Sequence, residues 1–395
     1  MLLNVHTNQL FLLLILFAKC LAGTDWDTDR LFKDKVYPLN PRIRPLKDQS
    51  ETLVVYFKLN IMAIIDFDET LQKLSTISWL ELKWRDELIA WNASDYGGVM
   101  HISPDSDDIW RPRPEATHSI DESNPIGQGF IEIHVNNYGD ATWYAKVNLQ
   151  TFCEIDTSKY PFDTQTCRLD FMNWGSVNGG VALKTYKGGI SESDFCNNGE
   201  WQLVSSSARD YDEENSNGEI LENHIEIAIT IKRRPSIIVL TVLLPVILLS
   251  FTKICAFIIP ASSGEKLSFS ITILLSMAIY MSSINSVMPE TTDEISYLAI
   301  YITSELVLNS LVVLMSSISL AIYHRDTSEN DTSSPLNRLL RCLECKVTAE
   351  SMYNIKHTST SRLISQKFDT ICLWIVFGIT TSVMVIFVFA IFIWD

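Results

Sequence analysis

The chain is short of positive charge. Its 395 residues carry 31 Lys and Arg against 47 Asp and Glu. An acidic surface repels phosphates, which argues against nucleic acid as a partner. With 15 Gly and 13 Pro it cannot be collagen-like, and no sustained heptad marks a coiled coil. It also lacks G-x-S-x-G, H-E-x-x-H and any phosphate-cradling glycine loop, so no enzyme, metal site or cofactor is expected from its motifs. Residues 24–234 contain no apolar run long enough to span a bilayer. Yet the chain is 47% hydrophobic, with a mean hydropathy of +0.12 beside a net charge of −16. Soluble domains are hydrophilic on average and disordered acidic chains lack apolar residues. Two kinds of chain are joined here.

The apolar excess is confined. Residues 10–17 are apolar and are followed by Cys20-Leu21-Ala22, so residues 1–22 read as a secretory signal peptide. Four longer apolar runs come later, over residues 236–259, 267–288, 295–323 and 371–394, each close to the roughly 20 residues that a bilayer core demands. Counting crossings divides the chain into an outer domain (23–234), three membrane helices (235–323), a short cytoplasmic loop (324–367), and a fourth helix with an extracellular end (368–395). The loop holds Arg325, Arg338, Arg341, Lys346, Lys356, Arg362 and Lys367 against five acids, as an inner segment should. Its second half, 336–367, has the pattern of an amphipathic helix. Pro245 should kink the first membrane helix. The acidic excess is also confined: residues 24–234 hold 35 of the acids and 21 of the bases.

The outer domain alternates as strands do. Residues 52–68, 141–151, 202–206 and 224–232 are rich in β-branched residues, and Asn-Pro, Gly-Gly and Asn-Gly pairs punctuate the stretch. A β-sandwich is the expected class, preceded by a short helix over residues 24–35, where Asp25, Asp27 and Asp29 suit an N-terminus. Past the signal, Cys153, Cys167 and Cys196 lie in the oxidising compartment. A bridge between Cys153 and Cys167 would close a 15-residue loop, worth roughly 3 kcal/mol on a chain-entropy model, and would leave Cys196 odd. Asn92-Ala-Ser94 is a glycosylation acceptor in the right compartment. Cys342-Leu-Glu-Cys345 is a single C-x-x-C facing the cytosol, where two reduced thiols are expected rather than a zinc site.

The stretch Cys153-Glu-Ile-Asp-Thr-Ser-Lys-Tyr-Pro-Phe-Asp-Thr-Gln-Thr-Cys167 resembles the signature loop of the Cys-loop pentameric ligand-gated ion channels. Trp79 to Trp91, Gly199-Glu-Trp201, Arg233-Arg234-Pro235 and Gly264-Glu265-Lys266 look specifically nicotinic. The resemblance implies an immunoglobulin-like sandwich of ten strands with a short N-terminal helix, followed by a four-helix transmembrane domain. It also implies identical or homologous subunits assembled as a pentamer in the plasma membrane, among lipids, with a postsynaptic placement left open. A small-molecule agonist, its identity open, would bind between subunits. Asp66-Phe-Asp-Glu69 is similar to the family's β1–β2 loop, whose acid would pair with Arg233. Phe162 and the segment Pro289–Glu294 would lie near that junction and couple binding to gating.

On a helix, Glu265, Ser268, Thr272, Leu275, Ile279, Ser282 and Ser286 share one face. Five copies would stack a carboxylate ring, hydroxyl rings, two aliphatic rings and further hydroxyl rings. Hydroxyls replace part of an ion's hydration, and aliphatic rings favour dewetting. The expected pore passes monovalent cations and closes near Leu275 and Ile279. The ligand site is less complete. The nicotinic pattern is an aromatic box for an ammonium group. Trp174 resembles the box tryptophan, Trp84 the complementary-face tryptophan, and Tyr144 falls on the complementary strand. Arg113 and Thr117 stand where the family usually carries an acid and a tyrosine, with His118 adjacent, and the loop of residues 212–222 has neither vicinal cysteines nor aromatics, leaving Tyr211 at its start. An acetylcholine-binding alpha-type subunit is therefore not expected. Three readings stay open: a different ligand, among them a cation drawn by Asp212, Glu213, Glu214, Glu219 and Glu222; a subunit lending only its complementary face in a heteropentamer; or a vestigial site. A non-conducting extracellular binding protein is the rival outside the channel class, and four crossings rather than one weigh against it.

Overall fold

The computed structural model describes residues 24–120, 126–127, 129, 132–173, 180–214, 220–285, 295–324 and 360–392. They fall into two compact units. The first takes the chain up to Ile155 together with Thr164–Lys232; the second takes Asp156–Asp163 and the chain from Arg233 onward.

The first unit opens with helix α1 (Asp25–Leu31), which continues as a wider π turn over Phe32–Val36. Thr24 caps it: its hydroxyl accepts from the Asp27 N–H while the Asp27 carboxylate accepts from the Thr24 N–H. Ten strands follow: β1 (Leu53–Asp68), β2 (Lys73–Arg85), β3 (His101–Ile102), β4 (Pro114–Ala116), β5 (Ile133–Asn136), β6 (Asp140–Phe152), β7 (Thr164–Asn173), β8 (Val181–Ser191), β9 (Trp201–Glu214) and β10 (Ile220–Arg233). They form a six-stranded sheet ordered β3-β5-β6-β2-β1-β8 and a four-stranded sheet ordered β4-β7-β10-β9. Strand alternation supplies the core. Val55, Phe57 and Leu59 of β1, Trp143, Ala145 and Val147 of β6, and Ile225, Ile227 and Ile229 of β10 are buried, while their neighbours in sequence face out. Phe57 meets Phe171 across the two sheets, ring centres 5.0 Å apart. The sandwich is the expected class.

Cys153 and Cys167 are bridged. Among the described residues, Cys196, Cys255 and Cys372 are unbridged; Cys342 and Cys345 lie outside the described residues. Asn92 is exposed and its side chain accepts from the Ser94 N–H, opening a turn of 3-10 helix.

The second unit contains four helices long and apolar enough to cross a membrane. Helix α2 (Ser236–Phe257) is irregular. Pro245 has no N–H to give the preceding turn, and the five residues Val239–Leu243 widen into a π turn just before it. Helices α3 (Lys266–Asn285), α4 (Tyr297–Tyr323) and α5 (Thr360–Phe392) are continuous. α5 begins eleven residues before the apolar run expected from sequence. Polar Thr360–Thr370 joins the same helix, because Ser365 and Asp369 are buried against α4 and α3 through Ser319 and Lys266. The expected amphipathic helix before it falls mostly on residues 325–359, outside those described.

Candidate functional site

In the second unit the site is a helix face. Along α3, Lys266, Ser270, Ile273, Met277 and Ile284 are buried, with spacings of four, three, four and seven that keep them on one side. Lys266 is held by Asp369 at 2.5 Å and by Ser319 at 3.2 Å, and Ser270 meets Ser316 at 3.2 Å. The opposite side carries Ser268, Thr272, Leu275, Ile279 and Ser282, all exposed, and Glu265 is exposed just before the helix begins. Leu275 and Ile279 are 61% and 60% exposed. Gly264 adopts φ +74, a left-handed conformation that glycine takes without strain, and it turns the chain so that Glu265 stands at the helix N-terminus. There the helix dipole favours a carboxylate. The Thr272 hydroxyl donates to the Ser268 carbonyl at 2.9 Å. Its proton is thereby committed to the helix, and its oxygen lone pairs are left for the exposed side. Ser286 and Pro289 lie outside the described residues.

The tip of the signature loop, Asp156–Asp163, belongs to this unit as well. Arg233 is buried and makes a two-pronged ion pair with Asp163, Nε to Oδ1 at 2.8 Å and Nη2 to Oδ2 at 3.3 Å. Its guanidinium lies 5.0 Å from the centre of the Tyr160 ring. Phe162 packs against Phe392 at 5.1 Å, and Ser158 accepts a hydrogen bond from the Tyr297 N–H at 3.0 Å. Within its own unit Arg233 thus has a partner in Asp163, the acid of Pro-Phe-Asp itself, which sequence reasoning did not single out.

In the first unit the expected ligand residues separate. Trp84 is 3% exposed and stacks edge-on against Trp110 at 5.8 Å inside the core, so as a contact surface it is corrected. Strand parity explains this: Trp79 and Trp84 are five residues apart on β2 and therefore face opposite ways, and Trp79 has the outward side with Glu81 and Lys83. Tyr144 is exposed on the six-stranded sheet, opposite Glu81, to which its hydroxyl donates at 3.5 Å. Trp174 lies outside the described residues. The remaining candidates gather on the four-stranded sheet around Asp170 of β7. The Tyr211 hydroxyl donates to Asp170 Oδ2 at 2.9 Å and the Thr117 hydroxyl reaches the same oxygen at 3.3 Å, with His118 Nδ1 3.2 Å from Thr117. Burial, then the bond to Asp170, pushes the Tyr211 phenol up to about 12.

Sequence reasoning missed the residue at the centre of this group. His224 of β10 places Nδ1 3.1 Å from Asp170 Oδ2 and stacks on Tyr211 with ring centres 5.1 Å apart. The signal was present: His224 has the opposite parity to the core residues Ile225, Ile227 and Ile229, and shares a face with Glu222. Only the pairing of β9 with β10 brings Glu213 to it.

A sandwich stapled at Cys153–Cys167 and continued by four apolar helices defines a class. Residues 28–235 match the neurotransmitter-gated ion-channel ligand binding domain and residues 242–372 match the neurotransmitter-gated ion-channel transmembrane region, so the chain belongs to that family of ligand-gated channel subunits. Its members are not enzymes and assemble as pentamers in the plasma membrane, with an extracellular binding domain. Within it the chain is nicotinic-like. It is 28% identical to the neuronal acetylcholine receptor subunit alpha-5 of Bos taurus over 313 residues, 78% of this chain and 64% of that subunit. It is 27% identical to the neuronal acetylcholine receptor subunit beta-3 of Homo sapiens over 293 residues, 74% and 63% of the two chains. To the acetylcholine receptor subunit beta-like 1 of Drosophila melanogaster it is 27% identical over 308 residues, 78% and 59%. The match spans less than two thirds of each of these three relatives.

Proposed function

We propose that the chain is a subunit of a cation-selective pentameric channel, gated by a small molecule at extracellular subunit interfaces and lined by α3. The observation that carries this is the single exposed face of α3. Repeated five times, it gives a carboxylate ring at Glu265, hydroxyl rings at Ser268 and Thr272, aliphatic rings at Leu275 and Ile279, and a further hydroxyl ring at Ser282. Carboxylates and outward oxygen lone pairs attract cations and repel chloride, while the aliphatic rings form the dewetting gate. The acidic outer domain adds to this by concentrating cations near the entrance, within the reach that salt screening allows. Residues 1–22 act as signal peptide, 23–234 as the binding domain, and 324–367 as the cytoplasmic loop.

Replacing an aliphatic gate ring by hydroxyls hydrates it, so Leu275→Ser expressed alone should leak current without any agonist. Its reversal potential should follow external sodium and ignore chloride, and adding Glu265→Lys should reverse that preference. A Leu275→Ser leak that follows chloride with Glu265 intact overturns the reading. The incomplete box favours a second reading, in which the chain conducts only beside homologous subunits. Leu275→Ser protein that reaches the surface silent, and leaks only with a coexpressed relative, would select it.

A further inference from the structure

We propose that the β9–β10 hairpin carries a site for a divalent transition cation of the zinc class, with His224, Glu213 and Glu222 as ligands. The proposal rests on the geometry of the outer domain and does not need the channel reading. His224 is 6% exposed, and among the described residues its Nε2 has no hydrogen-bond partner. The Nε2 faces two carboxylates instead, Glu213 Oε2 at 3.5 Å and Glu222 Oε2 at 3.8 Å, and the three donor atoms lie within 4.8 Å of one another. A tetrahedral ion with bonds of about 2.0–2.1 Å holds its donors roughly 3.3 Å apart, so small side-chain motions of the two exposed glutamates complete the set. One imidazole and two carboxylates suit zinc and leave a fourth position for water or another ligand.

The surroundings fit a ligand histidine. Asp170 accepts from Nδ1–H, which fixes the tautomer that turns the Nε2 lone pair towards the glutamates. Asp170 is itself held by Tyr211 and Thr117. Without a cation, that lone pair would face two anions. The neighbouring cation does not compete, because Arg209 is taken up by Glu226 at 2.9 and 3.0 Å. A bound ion would cross-link β9 to β10 beside Tyr211.

The test is zinc titration of the full-length, chelator-stripped chain in detergent by calorimetry, with cobalt as a visible-absorption reporter of tetrahedral geometry. One ion per chain is expected, with intense cobalt bands. Glu213→Gln with Glu222→Gln, both exposed and tolerant of substitution, should weaken binding at least about 100-fold, and Asp170→Asn about 10-fold. His224→Ala should abolish the cobalt bands. Two results would overturn the site: no zinc uptake at all, meaning that a proton alone fills the gap, or one-per-chain uptake unchanged in the double glutamine variant.

Discussion

The two units treat buried charge in opposite ways. Among the described residues, the second unit buries six charged side chains and pairs them: Asp163 with Arg233, Lys253 with Glu305, and Lys266 with Asp369. The first buries Asp86 and His224, and among the described residues no Lys or Arg pairs with either. A sandwich in water can leave its charges outside, so those buried are exceptions held by backbone N–H groups or by other acids. A helix bundle whose exterior is lipid has no polar outside, and its charges are stable only when matched within. Exposed Ile237, Leu240, Leu314 and Ile386 on that unit make the same point from the apolar side. An inward Lys is normal in one unit and would be an error in the other.

The largest effect should come from unmatching a pair. Lys253→Met leaves Glu305 buried and uncompensated, which costs about 3–5 kcal/mol. The full-length protein should melt much earlier in detergent and reach the surface poorly. Lys253→Met with Glu305→Leu removes both charges and should recover most of the loss, since a buried pair is seldom better than well-packed apolar residues. A double variant as unstable as the single one would mean that the pair does more than neutralise itself.

The next effect probes the unmatched charge of the sandwich. Burial pushes the Asp86 carboxyl up to about 6, although the Leu88 and Ile89 N–H groups donate to it at 2.9 and 3.0 Å. Between about pH 4 and 6 the folded chain keeps a proton that the unfolded chain has lost. This part of the stability is therefore full below that window and is lost as the pH rises through it, by at most about 3 kcal/mol. Asp86→Asn should flatten the difference: melting profiles of variant and parent should diverge with rising pH, the variant being the more stable at pH 7. Parallel profiles would mean that Asp86 is ionised throughout.

What could be read from sequence divides along a physical line. The exposed face of α3 was legible because one helix carries it, and a period of 3.6 residues is enough to sort Glu265, Ser268, Thr272 and Leu275 from Lys266, Ser270 and Ile273. The sandwich was legible as a class, since alternation is local. The grouping of the expected ligand residues was not, because it depends on which strands are neighbours. Trp84 went to the wrong face for want of a register that separates it from Trp79. His224 went unnoticed because Glu213 and Asp170 reach it from other strands. Asp163 pairs with Arg233 from a loop 70 residues earlier, a contact that no local period announces.

The smallest effect separates the solvents. Ile229 of β10 and Ile302 of α4 are both fully buried among apolar neighbours, so Ile→Val deletes the same methylene in each. In the sandwich the lost group had been taken from water, and the transfer and cavity losses add to about 0.5–1.5 kcal/mol. In the bundle the separated helices would lie in lipid as apolar as the core itself, so the transfer part vanishes and only lost packing remains. Hydrogen exchange at β10 and at α4 in the two variants should report local stability losses with the sandwich value about twice the other. Equal losses would mean that the interior of the bundle is stabilised as it would be in water, and the contrast drawn from its buried ion pairs would then rest on charge alone.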